Sequence, residues 1–276
     1  MALESIVPQL RARQGLLVVA DSSGRPVPPE FEAQADTIWL EQPRQSVFTT
    51  RRAAYASAGA ELVAVTEDHC RVADDWLELI VAAHAAAPDA AAVGGAVENG
   101  TREHVSDWAL YLMGHVRWAP PLPREPGIVV GHSNISYKRW AIDQMPANGA
   151  DAIEIFYHRL LRRKGYRVIV DDRIRVRHYQ CLDLPELTRL QFNNGRAIAG
   201  LRRQRMAAPD WLRLALPGPL AAYRLGRTLT VALGKPIPRR WVLASVPYLA
   251  VAHLAHAAGE ATGYLRGQGG SAILLH

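Results

Sequence analysis

With 276 residues, 49% of them hydrophobic and 21% charged, the chain has a globular profile and can bury a large core, as one α/β domain or as one domain with an appendage. Two cysteines, Cys70 and Cys181, exclude a disulfide framework, and Glu4, Pro8, Arg11 and Arg13 interrupt the apolar core that a signal peptide would need, so a reducing cytoplasmic compartment is expected. The net charge of +6 is uneven: ten Lys or Arg stand against Asp210 alone between Arg196 and Arg240, and the rest of the chain carries −3. A mildly acidic body with a basic, apolar C-terminal part fits a membrane surface better than a nucleic acid.

In chain order, Met1 to Arg13 reads as a helix and Leu16 to Ala20 as a strand closed by the turn Asp21-Ser22-Ser23-Gly24. Thr37 to Leu40 is a second short strand, Val47 to Ala58 a helix carrying Arg51 and Arg52, and Leu62 to Val65 a buried strand. A charged loop, Glu67-Asp68-His69, follows. Asp74 and Asp75 then open a helix through Trp76, Leu79 and Ile80. Ala91 to Val97 reads as a strand whose glycines allow another backbone to come close. Val105 to Trp118 is rich in aromatics, and Ile128 to Arg139 begins as a strand. Asp151 to Gly165 has helical spacing ending on a glycine cap, and Tyr166 to Asp171 and Ile174 to His178 read as two further strands. The alternation of strands and helices predicts an α/β fold with a mostly parallel sheet and helices on both faces. Glu67 then stands at the carboxyl end of a strand, where open α/β sheets bind ligands.

The order of LLVVADSSG, the Arg51 helix, VTEDHC, DDWL, GHSNISYKR, RRKGYRV and IRVRH resembles a family-two bacterial glycosyltransferase of the GT-A fold over roughly Leu16 to Gln204. GEATGYLRG extends a weaker similarity toward the end. The resemblance implies a GT-A-like domain over 1–205, N-terminally shortened because Met1 to Arg13 looks like the family's first helix, and the basic, apolar composition beyond it suggests a helical membrane-associating region over 206–276. It also implies a nucleotide-sugar donor, a divalent ion (Mn2+ or Mg2+), and a hydroxyl acceptor on a lipid or glycan of the cell envelope.

Residue by residue, Glu67, Asp68 and His69 are similar to the acidic metal-binding motif, with Glu first and His third. Carboxylate and imidazole are both competent Mn2+ ligands. The same three residues also suit a solvated loop capping the sheet. Arg51 stands where the family has a basic residue near the nucleotide, and equally suits a solvent-facing helix position. Asp21 matches an acid at the base or ribose, or caps its own turn. Asn134 and Ser136 are similar to a segment lining the sugar pocket, or form an ordinary strand end. His178 matches a histidine near the diphosphate or metal, although such a residue is commonly structural. An inverting transferase needs a carboxylate base. Glu154 lies in the family's register for it, and Asp151, one turn earlier, also suits a helix N-cap.

In the C-terminal third, Asp183 and Glu186 form a capping-box start to a helix. Trp211 to Leu233 mixes Trp and Leu with arginines, as suits a helix lying in a headgroup region. Trp241 to Ala258 is uncharged over 18 residues. Its Pro247, His253 and His256 favour an embedded or interfacial hairpin over a clean span, and a packed helical subdomain with a basic face is the alternative. The expected function is an inverting, metal-dependent glycosyltransferase on the cytoplasmic face of a membrane. A degenerate transferase acting as a membrane-bound scaffold or binding module is the other reading, and nucleic-acid binding the least favoured.

Overall fold

A computed structural model describes residues 1–31, 36–122, 131–146, 153–203 and 206–275. The chain divides into two compact units, the first of Met1–Glu98 with Leu122–His178 and the second of Asn99–Pro121 with Tyr179–His276.

In the first unit, helix α1 (Ala2–Ala12) precedes a parallel pair, β1 (Leu17–Asp21) and β2 (Thr37–Glu41), with Leu17 opposite Thr37. Ser46 caps α2 (Val47–Ser57), its hydroxyl accepting from the Thr49 N–H at 3.2 Å. Next come β3 (Leu62–Val65), β4 (Cys70–Val72), α3 (Trp76–Ala86) and β5 (Ala90–Asn99). The second unit then contributes α4 (Val105–Gly114). The chain returns to the first unit through β6 (Ile135–Lys138), α5 (Arg139–Asp143), α6 (Glu154–Arg163) and β7 (Arg167–His178).

The main sheet has the order β3-β6-β5-β7-β4. β6 is antiparallel to both β3 and β5, and β4 is antiparallel to β7. This corrects the expectation of a mostly parallel sheet, because among the described registers only β1 with β2 is parallel. Alternation along a sequence does not set strand direction. A parallel return needs a crossover laid on the sheet, whereas the chain between β5 and β6 makes an excursion into the second unit. The two strands expected over 166–178 are one, β7, since Asp172 and Arg173 continue the extended backbone.

Both sheet faces are covered, as the period of two along β6 makes plain. Ile135 and Tyr137 join a core with Tyr55 of α2, Ala141 of α5 and Leu161 of α6. Ser136, pointing the other way, meets His84 of α3 at 3.0 Å. Gly165, at φ +87, ends α6 where a side chain would be strained. At Gly95 a Cβ would collide with the Asn134 side chain and the Ile174 carbonyl, so the close approach expected for this strand is realised there.

The second unit is helical: α4, α7 (Leu184–Arg202), α8 (Ala208–Ala215), α9 (Pro217–Leu233), α10 (Arg239–Ala244) and α11 (Val246–Arg266). The capping box forms at the start of α7, with the Glu186 N–H donating to Asp183 at 2.8 Å. α7 lies tight along α11, because a Cβ on Gly195 would strike the His256 carbonyl and one on Gly259 the Phe192 carbonyl. α7 therefore belongs with the C-terminal helices, and the compact division falls after His178, not at 205/206. The uncharged stretch Trp241–Ala258 breaks at Ser245 between α10 and α11. Its inner side packs on α4, with Trp241 stacked on Trp108 at 5.8 Å and Leu249 in the same cluster. None of the described helices is long and apolar enough to cross a membrane.

Candidate metal and donor site

The site is built around the turn between β3 and β4. The Cys70 N–H donates to the Glu67 carbonyl at 3.0 Å, closing the turn. Two antiparallel pairings bring partners to it. Val65 opposite Ile135 sets His132 and Ser133 beside Glu67, and Cys70 opposite His178 sets His178 beside His69. The Thr66 hydroxyl locks the first approach by donating to the Ser133 carbonyl at 2.9 Å. The Ser133 hydroxyl donates to Glu67 Oε2 at 2.6 Å. That same oxygen lies 3.6 Å from His69 Nε2 and 3.8 Å from His178 Nε2, and the two Nε2 atoms are 2.8 Å apart. His132 Nε2 is 3.6 Å from Glu67 Oε1. On the other side, Arg51 of α2 pairs with Glu67 Oε1 through Nη2, while its Nη1 stands 3.5 Å from Glu154 Oε1. Tyr55, one helical turn after Arg51, donates its hydroxyl to the same Glu154 oxygen at 2.9 Å. Glu154 is the first residue of α6 and is buried.

No protein-family model matches the chain, and no curated protein does. Among solved structures the fold is similar to that of the mannosyltransferase PcManGT from Pyrobaculum calidifontis in complex with GDP-Man and Mn2+. The TM-score is 0.52 and the identity 17%, with 91% of this chain and 78% of that chain covered. The chain shares the fold of that structure.

Within that fold the charges of the cluster are strongly coupled. Burial alone would raise the Glu67 carboxyl, but His132, Arg51 and His69, with the Ser133 hydroxyl, outweigh it and hold Glu67 well below the usual carboxylate range. Glu154 behaves alike: burial opposes its charge, yet Arg51 and His132 keep its pKa below normal. For His69, burial is overcome by the hydrogen bond to Asp68 and the Glu67 charge, and its pKa rises. His178 is pushed down to about 4 by burial and by His69, and burial also lowers His132. At neutral pH the cluster is two carboxylates, one arginine, and imidazoles of which His178 is neutral.

The donor set fits a divalent ion. His69 Nδ1 lies 2.8 Å from Asp68 Oδ1, so in the neutral ring it carries the hydrogen and Nε2 is an acceptor facing His178 Nε2, the arrangement by which a carboxylate orients a metal-binding histidine. Bonds of about 2.1 Å place neighbouring ligands roughly 3–3.5 Å apart, close to the separations among Glu67 Oε2, His69 Nε2 and His178 Nε2.

Of the residues singled out from the sequence, Arg51, Glu67, His69, Glu154 and His178 come together. Asp68 sits behind His69, its side chain fully open to solvent. Asn134 does not line the site. Its amide donates to the Ala96 carbonyl at 2.8 Å and the Ile174 carbonyl at 2.9 Å, and its oxygen accepts from the Trp76 indole at 2.9 Å. A buried amide so engaged staples the sheet to α3. Ser136 is likewise occupied with Val93 and His84. Asp21 accepts from the Ser23 N–H at 2.8 Å, the turn-capping role. Asp151 lies outside the described residues. Sequence reasoning missed His132, Ser133 and Tyr55. His132 and Ser133 stand inside GHSNISYKR, and the signal for Tyr55 was its position four residues after Arg51 on one helix.

Proposed function

We propose that the protein is a family-two type inverting glycosyltransferase, moving a sugar from a nucleotide-sugar donor to a hydroxyl on a lipid-linked or glycan acceptor. The observation that carries this reading is the single Arg51 guanidinium joining Glu67, at the turn after β3, to Glu154, at the start of α6. The fold shared with a mannosyltransferase solved with GDP-Man and Mn2+ supports it. Glu67, His69 and His178 would hold the ion, Mn2+ in preference to Mg2+ because imidazole suits Mn2+ and Mg2+ prefers oxygen ligands. When bound, it supplies Lewis-acid stabilisation of the departing diphosphate. Glu154, ionised by Arg51 and oriented by Tyr55, takes the proton from the acceptor hydroxyl. Arg51 keeps the two carboxylates apart in charge and offers a cation to the donor phosphates. The cytoplasmic face of a membrane is the proposed setting.

The test is a thermal-shift series with Mn2+ and Mg2+ against UDP, GDP, TDP and their sugars. Stabilisation by a nucleoside diphosphate that requires the metal, and is lost in His69→Ala, is expected. No response to any pair would overturn the reading, and vesicle binding without that response would favour a scaffold derived from a transferase.

A further inference from the structure

The second unit carries an inversion that the transferase reading does not use. A helix of a water-soluble fold buries its apolar stripe and turns its charges outward. In α8 the arrangement is reversed. Asp210, 7% exposed, accepts from the Tyr264 hydroxyl at 2.7 Å, from Arg213 Nη1 at 2.8 Å and from the Ala207 N–H at 2.9 Å. Trp211 and Leu212, each 60% exposed, and Leu216, 48% exposed, face outward instead. Leu216 is the residue that ends α8, its N–H donating to the Leu212 carbonyl at 3.0 Å. α11 repeats the inversion. Glu260, 2% exposed, pairs with Arg224 Nη1 at 2.7 Å, while Val251, Leu254 and Leu265 lie exposed. Ten of the thirteen exposed large apolar side chains among the described residues fall between Trp211 and Leu274, so the pattern belongs to this unit.

We propose that the outer face of α8 docks on an anionic lipid surface. Charge selects the occupant. Arg203, Arg227, Arg239 and Arg240 are exposed within residues 196–240, whose one acid, Asp210, is turned inward. Trp and Leu beside arginines suit an interface in which rings and alkyl chains enter the acyl boundary while guanidinium groups meet headgroup phosphates. A second copy of the chain would set like charge against like. A nucleic acid would satisfy the arginines and leave Trp211, Leu212 and Leu216 in water.

The experiment is co-sedimentation of the full chain with vesicles of phosphatidylcholine, with and without phosphatidylglycerol, in the absence of metal and nucleotide. Its failure is therefore separate from failure of the transferase reading. Binding to the anionic vesicles alone, weakened by salt, is expected, and the double variant Trp211→Ser with Leu212→Ser should bind at least about tenfold more weakly. Leu216→Ser, alone, should weaken binding severalfold and guards against a double variant that fails to fold. Leu16→Ser, at an exposed leucine of the first unit, should bind as the unaltered chain does. The proposal is overturned if the unaltered chain does not sediment, if the substitutions at Trp211, Leu212 and Leu216 have no effect, if they abolish a dimer in place of vesicle binding, or if duplex DNA competes fully.

Discussion

Each unit buries carboxylates against arginine, but in opposite proportion. In the first, one guanidinium serves two acids, Glu67 and Glu154, and the imidazoles of His69 and His178 gather beside them. In the second, Glu260 lies between two guanidinium groups, with Arg224 at 2.7 Å and Arg202 at 3.7 Å. The first cluster has negative charge and two imidazole nitrogens to offer a cation. The second has an imidazole as well, His256 Nε2 at 3.9 Å from Glu260, but two guanidinium groups share its one acid, so it locks helices together and its positive charge opposes a cation. The proportion of acid to base, more than the mere presence of buried ions, separates a site from a brace.

The largest effects should come from removing the acid on each side. Glu67→Gln deletes a metal ligand and leaves Arg51 short of a partner, so metal-dependent nucleotide binding should fall at least about a hundredfold, measured by calorimetry, with a stability loss of about 3 kcal/mol. Glu260→Gln should cost a similar ~3 kcal/mol in denaturant unfolding while leaving the metal response intact. Loss of that response in Glu260→Gln would erase the distinction.

Asn134→Ala sharpens the comparison inside the first unit. It removes three buried hydrogen bonds and should lower stability by about 2 kcal/mol, yet nucleotide affinity measured on the folded fraction should stay the same. A selective loss of donor affinity would return Asn134 to the sugar pocket.

A smaller effect is set by protons. His69 has a raised pKa, so it binds a proton in competition with the ion, and metal affinity should fall as pH drops through that titration, approaching about tenfold per pH unit. His178, held down at about 4, stays neutral over that window. A calorimetric pH series checks the sign, and affinity that rises toward acid would remove His69 from the ligand set. The smallest effect is on stability at the outer face of α8. Trp211→Ser should shift unfolding by no more than about 0.5 kcal/mol, since its ring is solvent-exposed.

Local signals identified what local forces control. The Asp183–Glu186 capping box, the glycine after α6, the helix from Val47 and the strand ending at Val65 are each settled by residues within one or two turns, and all of them formed as expected. The acidic turn after β3 was legible because strand ends present such groups at a sheet's mouth. What failed depended on partners far along the chain. Asn134 looks like a pocket residue in sequence, and becomes a staple because β5, β7 and the Trp76 indole converge on it.

By itself, then, the sequence determined α1, β1, β2, α2, β3, α3, β5 and the start of α7, their order, and the presence of a carboxylate–histidine turn and an Arg-rich, apolar C-terminal part. Only the tertiary structure decided strand direction, the union of α7 with the last helices, and which histidines face Glu67. The physical reason is range. Caps, turns and periodicity act between residues close in the chain, whereas strand registers and the sharing of Arg51 by two acids 87 positions apart arise when distant backbone is brought within hydrogen-bonding distance.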